Sequence, residues 1–166
     1  LQRPLTFSVA VQPVCLYSGN ETMERADVGV VTGFGAWNEG QVVYEIKSKF
    51  LRETHVEIIP NKACTERWNK MIPKIDEIDQ SQICAGAYGH GAAKVSGGPL
   101  VSKGVDGRWY QLGITSFGEN TDKYLIEQDL APGVFTRVQA YCPWIEQQTE
   151  QEGRAKVVDV FGSLRL

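Results

Sequence analysis

The sequence predicts an all-β fold, a sandwich or barrel of short strands. Three observations carry this. Apolar residues come in brief β-like runs rather than in helical stripes. Glycine and proline cut those runs at short intervals. Only two segments carry helix start and stop signals.

Taken in order, Val28 to Gly35 reads as a strand ending in a tight turn. Val42 to Phe50 alternates loosely and reads as another, and Val56 to Ile59 as a short strand stopped by Pro60. Asn61 to Lys70 follows that proline and predicts a short helix, with Asn61 as its cap. Gln82 to Gly86, Pro99 to Ser102, Trp109 to Phe117 and Gly133 to Val138 complete the strands. Glu119 to Ala131 reads as a long, charged loop, either a binding loop or an insertion at the surface. Pro143 to Glu152 predicts a second helix, with proline at its first position and Gly153 beyond its end. The division expected is one unit over residues 1–152 and a tail over 153–166, with no internal repeat.

Composition bounds the function. The 166 residues suffice for one domain with a buried core, and 42% hydrophobic with 22% charged residues is the mix of a soluble globular chain. A net charge of −3 supplies no basic field for nucleic acid, and no apolar run reaches membrane-span length. Leu1 to Pro4 has no apolar core of a signal peptide. The four cysteines, Cys15, Cys64, Cys84 and Cys142, form no C-x-x-C pair, and neither His55 nor His90 stands at a metal-ligand spacing from them. No metal or cofactor is expected. Disulfides in an oxidising compartment are the better reading of the cysteines, with four buried thiols as the alternative.

One motif is specific. Val95-Ser96-Gly97-Gly98-Pro99-Leu100 resembles the nucleophile loop of the chymotrypsin-like (trypsin-fold) serine proteases, Gly-Asp-Ser-Gly-Gly-Pro-Leu, from its serine onward. Further matches follow in family order. Pro4 to Phe7 with Val11 to Leu16 resembles the segment crossing between the family's two barrels. Val31 to Gly35, Cys84 to Gly86, Gly113 to Gly118, Pro132 to Val138 and Tyr141 to Ile145 resemble, in turn, a strand end, the pocket wall, the facing strand, the last strand and the C-terminal helix. The resemblance implies the second six-stranded Greek-key barrel of the trypsin-like fold, with a short intermediate helix and a C-terminal helix, the first barrel being largely missing.

It also implies roles. Cys64 and Cys84 match a family disulfide, whose loop length is worth roughly 3 kcal/mol in the chain-entropy model. Gly29 and Ser102 stand where a second pair would sit, and Ala93 at one end of a third. Cys15 matches a cysteine that often pairs upstream, and a Cys15–Cys142 bond is an alternative. Ser96 takes the nucleophile position. Gly91 and Ala92 match the base of the substrate pocket, Ser116, Phe117 and Gly118 one wall, and Gly133 the other. With no acid at the base, a roomy neutral pocket for apolar side chains is expected.

Two departures bear on activity. A serine needs a base to take its proton, and the family's histidine and its orienting aspartate both precede the segment that opens this chain. His55 and His90 are expected as solvated side chains with no catalytic part. Lys94-Val95 stands where the family has Gly-Asp, in a loop about one residue short. A missing residue moves a backbone donor by up to ~3.5 Å, so the oxyanion hole is expected to be unformed. The chain is therefore expected to be an incomplete trypsin-like serine endopeptidase, inactive as given. The alternative is a non-catalytic binding or regulatory protein of the same fold. Either would be secreted and would meet a polypeptide substrate or a protein partner, and the missing first barrel would leave an exposed apolar face.

Overall fold

The computed structural model describes residues 5–39, 42–44, 48–72, 76–92, 94–119 and 121–151. The expected tail, Ala93 and Pro4 lie outside them. Among the described residues, nine strands run in the order β1 (Cys15–Leu16), β2 (Val28–Gly33), β3 (Trp37–Glu39), β4 (Val42–Tyr44), β5 (Arg52–Ile59), β6 (Gln82–Ala85), β7 (Pro99–Lys103), β8 (Trp109–Phe117) and β9 (Gly133–Arg137). Helix α1 (Asn61–Met71) follows β5, α2 (Asp122–Ile126) lies between β8 and β9, and a 3₁₀ turn (Val138–Tyr141) leads into α3 (Cys142–Gln151).

Strands β8, β7, β2, β5, β6 and β9 pair in that order, and β9 pairs back onto β8, closing a six-stranded barrel. Closure removes the open edges that a flat sheet would present to other chains. β1 lies parallel on the outside of β8, with Cys15 opposite Tyr110. This is the six-stranded barrel with a C-terminal helix that the resemblance implies.

Alternation fills the interior. Val31, Val56, Ile83, Ala85, Leu100, Leu112 and Phe135 point inward and pack as one buried cluster. Gly29 leaves the room Leu100 needs: a Cβ there would come 2.6 Å from its Cδ1. Ser102, the other half of the absent cysteine pair, is buried and donates to the Val28 carbonyl at 3.0 Å. A second cluster, of Ile59, Cys64, Trp68, Ile78, Cys84 and Val134, seats α1 against the barrel. The Cys64–Cys84 disulfide ties α1 to β6 across 20 residues, worth roughly 3 kcal/mol in the chain-entropy model.

Several boundaries differ from expectation. Asn61 does not cap α1; Pro60 holds that position, and the Asn61 side chain instead donates to the Asp79 and Gln82 carbonyls and accepts from Arg137. Of the strand expected over Val42 to Phe50, residues 42–44 form β4, paired with β3, and residues 45–47 lie outside the described residues. Ser48 turns the chain there, its hydroxyl donating to the Phe50 carbonyl and accepting from Arg52 Nε. The loop from Glu119 to Ala131 contains α2, and α3 begins one residue before Pro143. Cys15 and Cys142 are free thiols rather than a pair, and burial pushes the Cys142 thiol above its ordinary pKa.

Candidate functional site

The loop joining β6 to β7 carries Ser96. Its backbone bends sharply: Lys94 has φ +55°, the one non-glycine residue with positive φ among those described. Such a conformation costs a side-chain-bearing residue roughly 1–2 kcal/mol and persists only where the surroundings impose it. Gly97, at φ +79°, needs its glycine for backbone conformation, since a Cβ there would meet nothing. Gly98 needs its glycine for space, since a Cβ would come 2.8 Å from the Val95 carbonyl.

β8 holds this loop in place. Gly97 N–H donates to the Thr115 carbonyl at 2.9 Å. The Gly98 carbonyl accepts both from Thr115 N–H at 2.9 Å and from its hydroxyl at 3.1 Å. Val95 turns the other way. It is half-buried against the barrel core and sits over Gly33, where a Cβ would come 2.3 Å from its Cγ1. Apolar packing thus anchors the loop at the residue before the serine.

Ser96 is exposed and opens on a cleft of about 390 Å³. Ala92, Lys94, Ser116, Phe117, Gly118 and Gly133 line the same cleft, so the structure gathers six predicted positions around the serine. A bulge in the β8–β9 pairing falls at Ser116, between Thr115 opposite Phe135 and Phe117 opposite Val134. Bulges re-aim side chains at such rims. Gly91 does not line this cleft; it borders a larger one of about 540 Å³ on the far side of Val95. The Ser96 cleft is also more polar than expected, because Thr115, Glu119 and Gln128 join its walls.

Neither described imidazole faces Ser96. His55 is exposed on β5, paired in register with Val30. His90 lines the larger cleft, and its Nδ1 lies 2.6 Å from the Thr54 hydroxyl. No group of three or more metal-ligating side chains occurs among the described residues.

Gln128 escaped the sequence reading because it stands in a charged segment. It is 4% exposed and borders both clefts. Two glycines make room for it: a Cβ at Gly86 would strike its carbonyl oxygen at 2.5 Å, and one at Gly91 would strike its side chain. The apolar residues Leu125 and Ile126 just before it, both buried, were the available signal that this segment turns inward.

The family model described as Trypsin matches residues 1–145. A tryptase from Mus musculus is 33% identical over 157 residues, covering 92% of this chain and 54% of that protein. Among solved structures, neuropsin, a serine protease expressed in the limbic system of mouse brain, superposes with a TM-score of 0.67 at 25% identity, over 89% of this chain and 58% of that one. The chain spans about half the length of the curated relative it matches.

Proposed function

The chain belongs to the trypsin family of serine proteases, and from that premise we propose that its Ser96 cleft receives a polypeptide segment which this chain alone does not cut. One observation carries the reading: Ser96 opens on the cleft together with Ala92, Ser116, Phe117, Gly118 and Gly133, while both described histidines lie elsewhere. The walls supply a place for a side chain, and the exposed serine marks where the adjoining carbonyl would lie. Without a base, the serine hydroxyl keeps its proton and remains a poor nucleophile. The shortened loop, bent at Lys94 and anchored through Val95, removes the backbone donors from the oxyanion position, where tolerances are a few tenths of an ångström.

A second reading is an active endopeptidase in which the histidine and aspartate come from the half of the relatives' length that this chain does not span. The unbroken run Ser96 to Leu100, with Gly97 and Gly98 bonded as described, favours it. Both readings place the protein outside the cell, where the Cys64–Cys84 disulfide persists.

A fluorophosphonate probe separates inactive from activated serine. Labelling of the folded chain is expected to equal that of Ser96→Ala. Labelling that disappears in Ser96→Ala would mean that the hydroxyl is activated, and the non-cutting reading would fall.

A further inference from the structure

We propose that the cleft between the β3–β4 hairpin and the loop joining β6 to β7 binds a small organic acid. Arg52 holds its carboxylate, and its apolar body lies along Trp37, Val43, Val95 and Leu125. This cleft lies across Val95 from that of Ser96, and the inference stands whether or not Ser96 is activated.

Placement comes first. Along β5, Thr54, Val56 and Ile58 are buried or half-buried, whereas Glu53, His55 and Glu57 are exposed. Residues two apart on a strand share a face, so Arg52 stands on the face of Thr54. Both border the cleft of about 540 Å³, a volume in the range of small-molecule sites. His90 borders it too, its Nδ1 2.6 Å from the Thr54 hydroxyl, which ties the β6–β7 loop to β5 at the wall. The Arg52 guanidinium is held from two directions. It lies 3.8 Å over the Trp37 ring, which itself stacks on Tyr44 with centroids 4.0 Å apart. Its Nε donates at 3.0 Å to the hydroxyl of Ser48, a buried side chain that in turn donates to the Phe50 carbonyl and accepts from Phe50 N–H.

The chemistry follows from that placement. Arg52 forms no ion pair with a carboxylate among the described residues. With one ring face and Nε engaged, its terminal nitrogens remain as a planar fork, the geometry that takes a carboxylate through two parallel bonds. A fork already held in place loses little side-chain entropy on binding. Trp37, Val43, Val95 and Leu125 supply apolar wall beside it, so the cleft favours a charge joined to an apolar body. Glu53 borders the same cleft and sets the limit: it repels a second negative charge, so a monoanion fits better than a dianion. A cation would face Arg52, and a neutral ligand would leave the guanidinium without a counter-charge.

NMR titration of the full chain with N-acetylphenylalanine and with its uncharged isostere, N-acetylphenylalaninamide, tests this. The acid is expected to bind roughly fivefold more tightly than the amide, the worth of one partly exposed ion pair. The shifts should centre on the Trp37 indole and the His90 ring. Arg52→Gln should abolish the preference for the acid and Arg52→Lys should keep part of it, a pattern that a merely structural role would not produce. The wild-type comparison stands even if a variant fails to fold. An acetylated tetrapeptide ending in Phe separates the sources of the carboxylate. Binding as tight as that of N-acetylphenylalanine assigns the site to a peptide C-terminus, weaker binding assigns it to a free acid, and the carboxylate reading holds in both cases. Equal binding of acid and amide, no binding of either, an unchanged preference in Arg52→Gln, or shifts centred on Ser116 and Phe117 instead overturns the inference.

Discussion

At the scale of the residue, Val95 shows how a loop can be held by packing against the barrel core. Its methyls occupy the space over Gly33 and join the barrel core. Gly33→Ala should therefore destabilise the chain by about 1–3 kcal/mol, the usual penalty for overpacking. Adding Val95→Ala should return most of that loss, since contacting residues are not additive. Urea unfolding of the two single variants and the double variant measures the coupling; strictly additive effects would mean that the two side chains do not share this space. The serine motif was plain in the sequence because its glycines are dictated by backbone geometry. Gln128 was not, because a lone polar residue among charges looks solvated until Gly86 and Gly91 are seen to face it.

At the scale of the element, the turn joining β7 to β8 is closed by one carboxylate. Asp106 accepts from Arg108 N–H at 3.0 Å, from Arg108 Nε at 2.7 Å and from the buried Tyr110 hydroxyl at 2.7 Å. The Arg108 backbone donor, then the Tyr110 hydroxyl, then the Arg108 side chain hold its pKa down at about 2, against an ordinary 3.8. Burial, then the bond to Asp106, pushes Tyr110 up to about 12. Because the folded value lies below the unfolded one, this contribution is complete above pH 3.8 and is lost as pH falls through 2. Thermal unfolding of wild type should fall more steeply over that window than that of Asp106→Asn; parallel curves would remove Asp106 from the account. The long strands β2 and β8 were legible from runs of β-branched and apolar residues bounded by glycine. The short α2 was not, since five residues are too few to display a period. Asn61 carries the chemistry of a cap, but distant carbonyls and Arg137 use its amide instead.

At the scale of the whole molecule, the barrel and the gathering of residues around Ser96 could be anticipated because the motifs sit on strands that must pair in one order. The polarity of the cleft could not, because it depends on a loop whose path is set by Arg67 and Trp68 of a distant helix. The segment before β1 leaves Leu5, Phe7 and Val9 at 60%, 63% and 101% exposure. Large apolar side chains exposed so close together in sequence favour association. Sedimentation velocity should show concentration-dependent self-association of the full chain, relieved by Leu5→Ser/Phe7→Ser/Val9→Ser; a monomer with sharp, reversible unfolding would contradict this. Barrel closure has a kinetic corollary. Val30 must find Val101, and Gln82 must find Thr136, before the ring is complete, whereas the Cys64–Cys84 link spans a short stretch and brings neither pair together. The entropy of closing such long loops is lost before their contacts return it, so refolding should be slow for a chain of this size, on the order of milliseconds to seconds, with the ring shutting late.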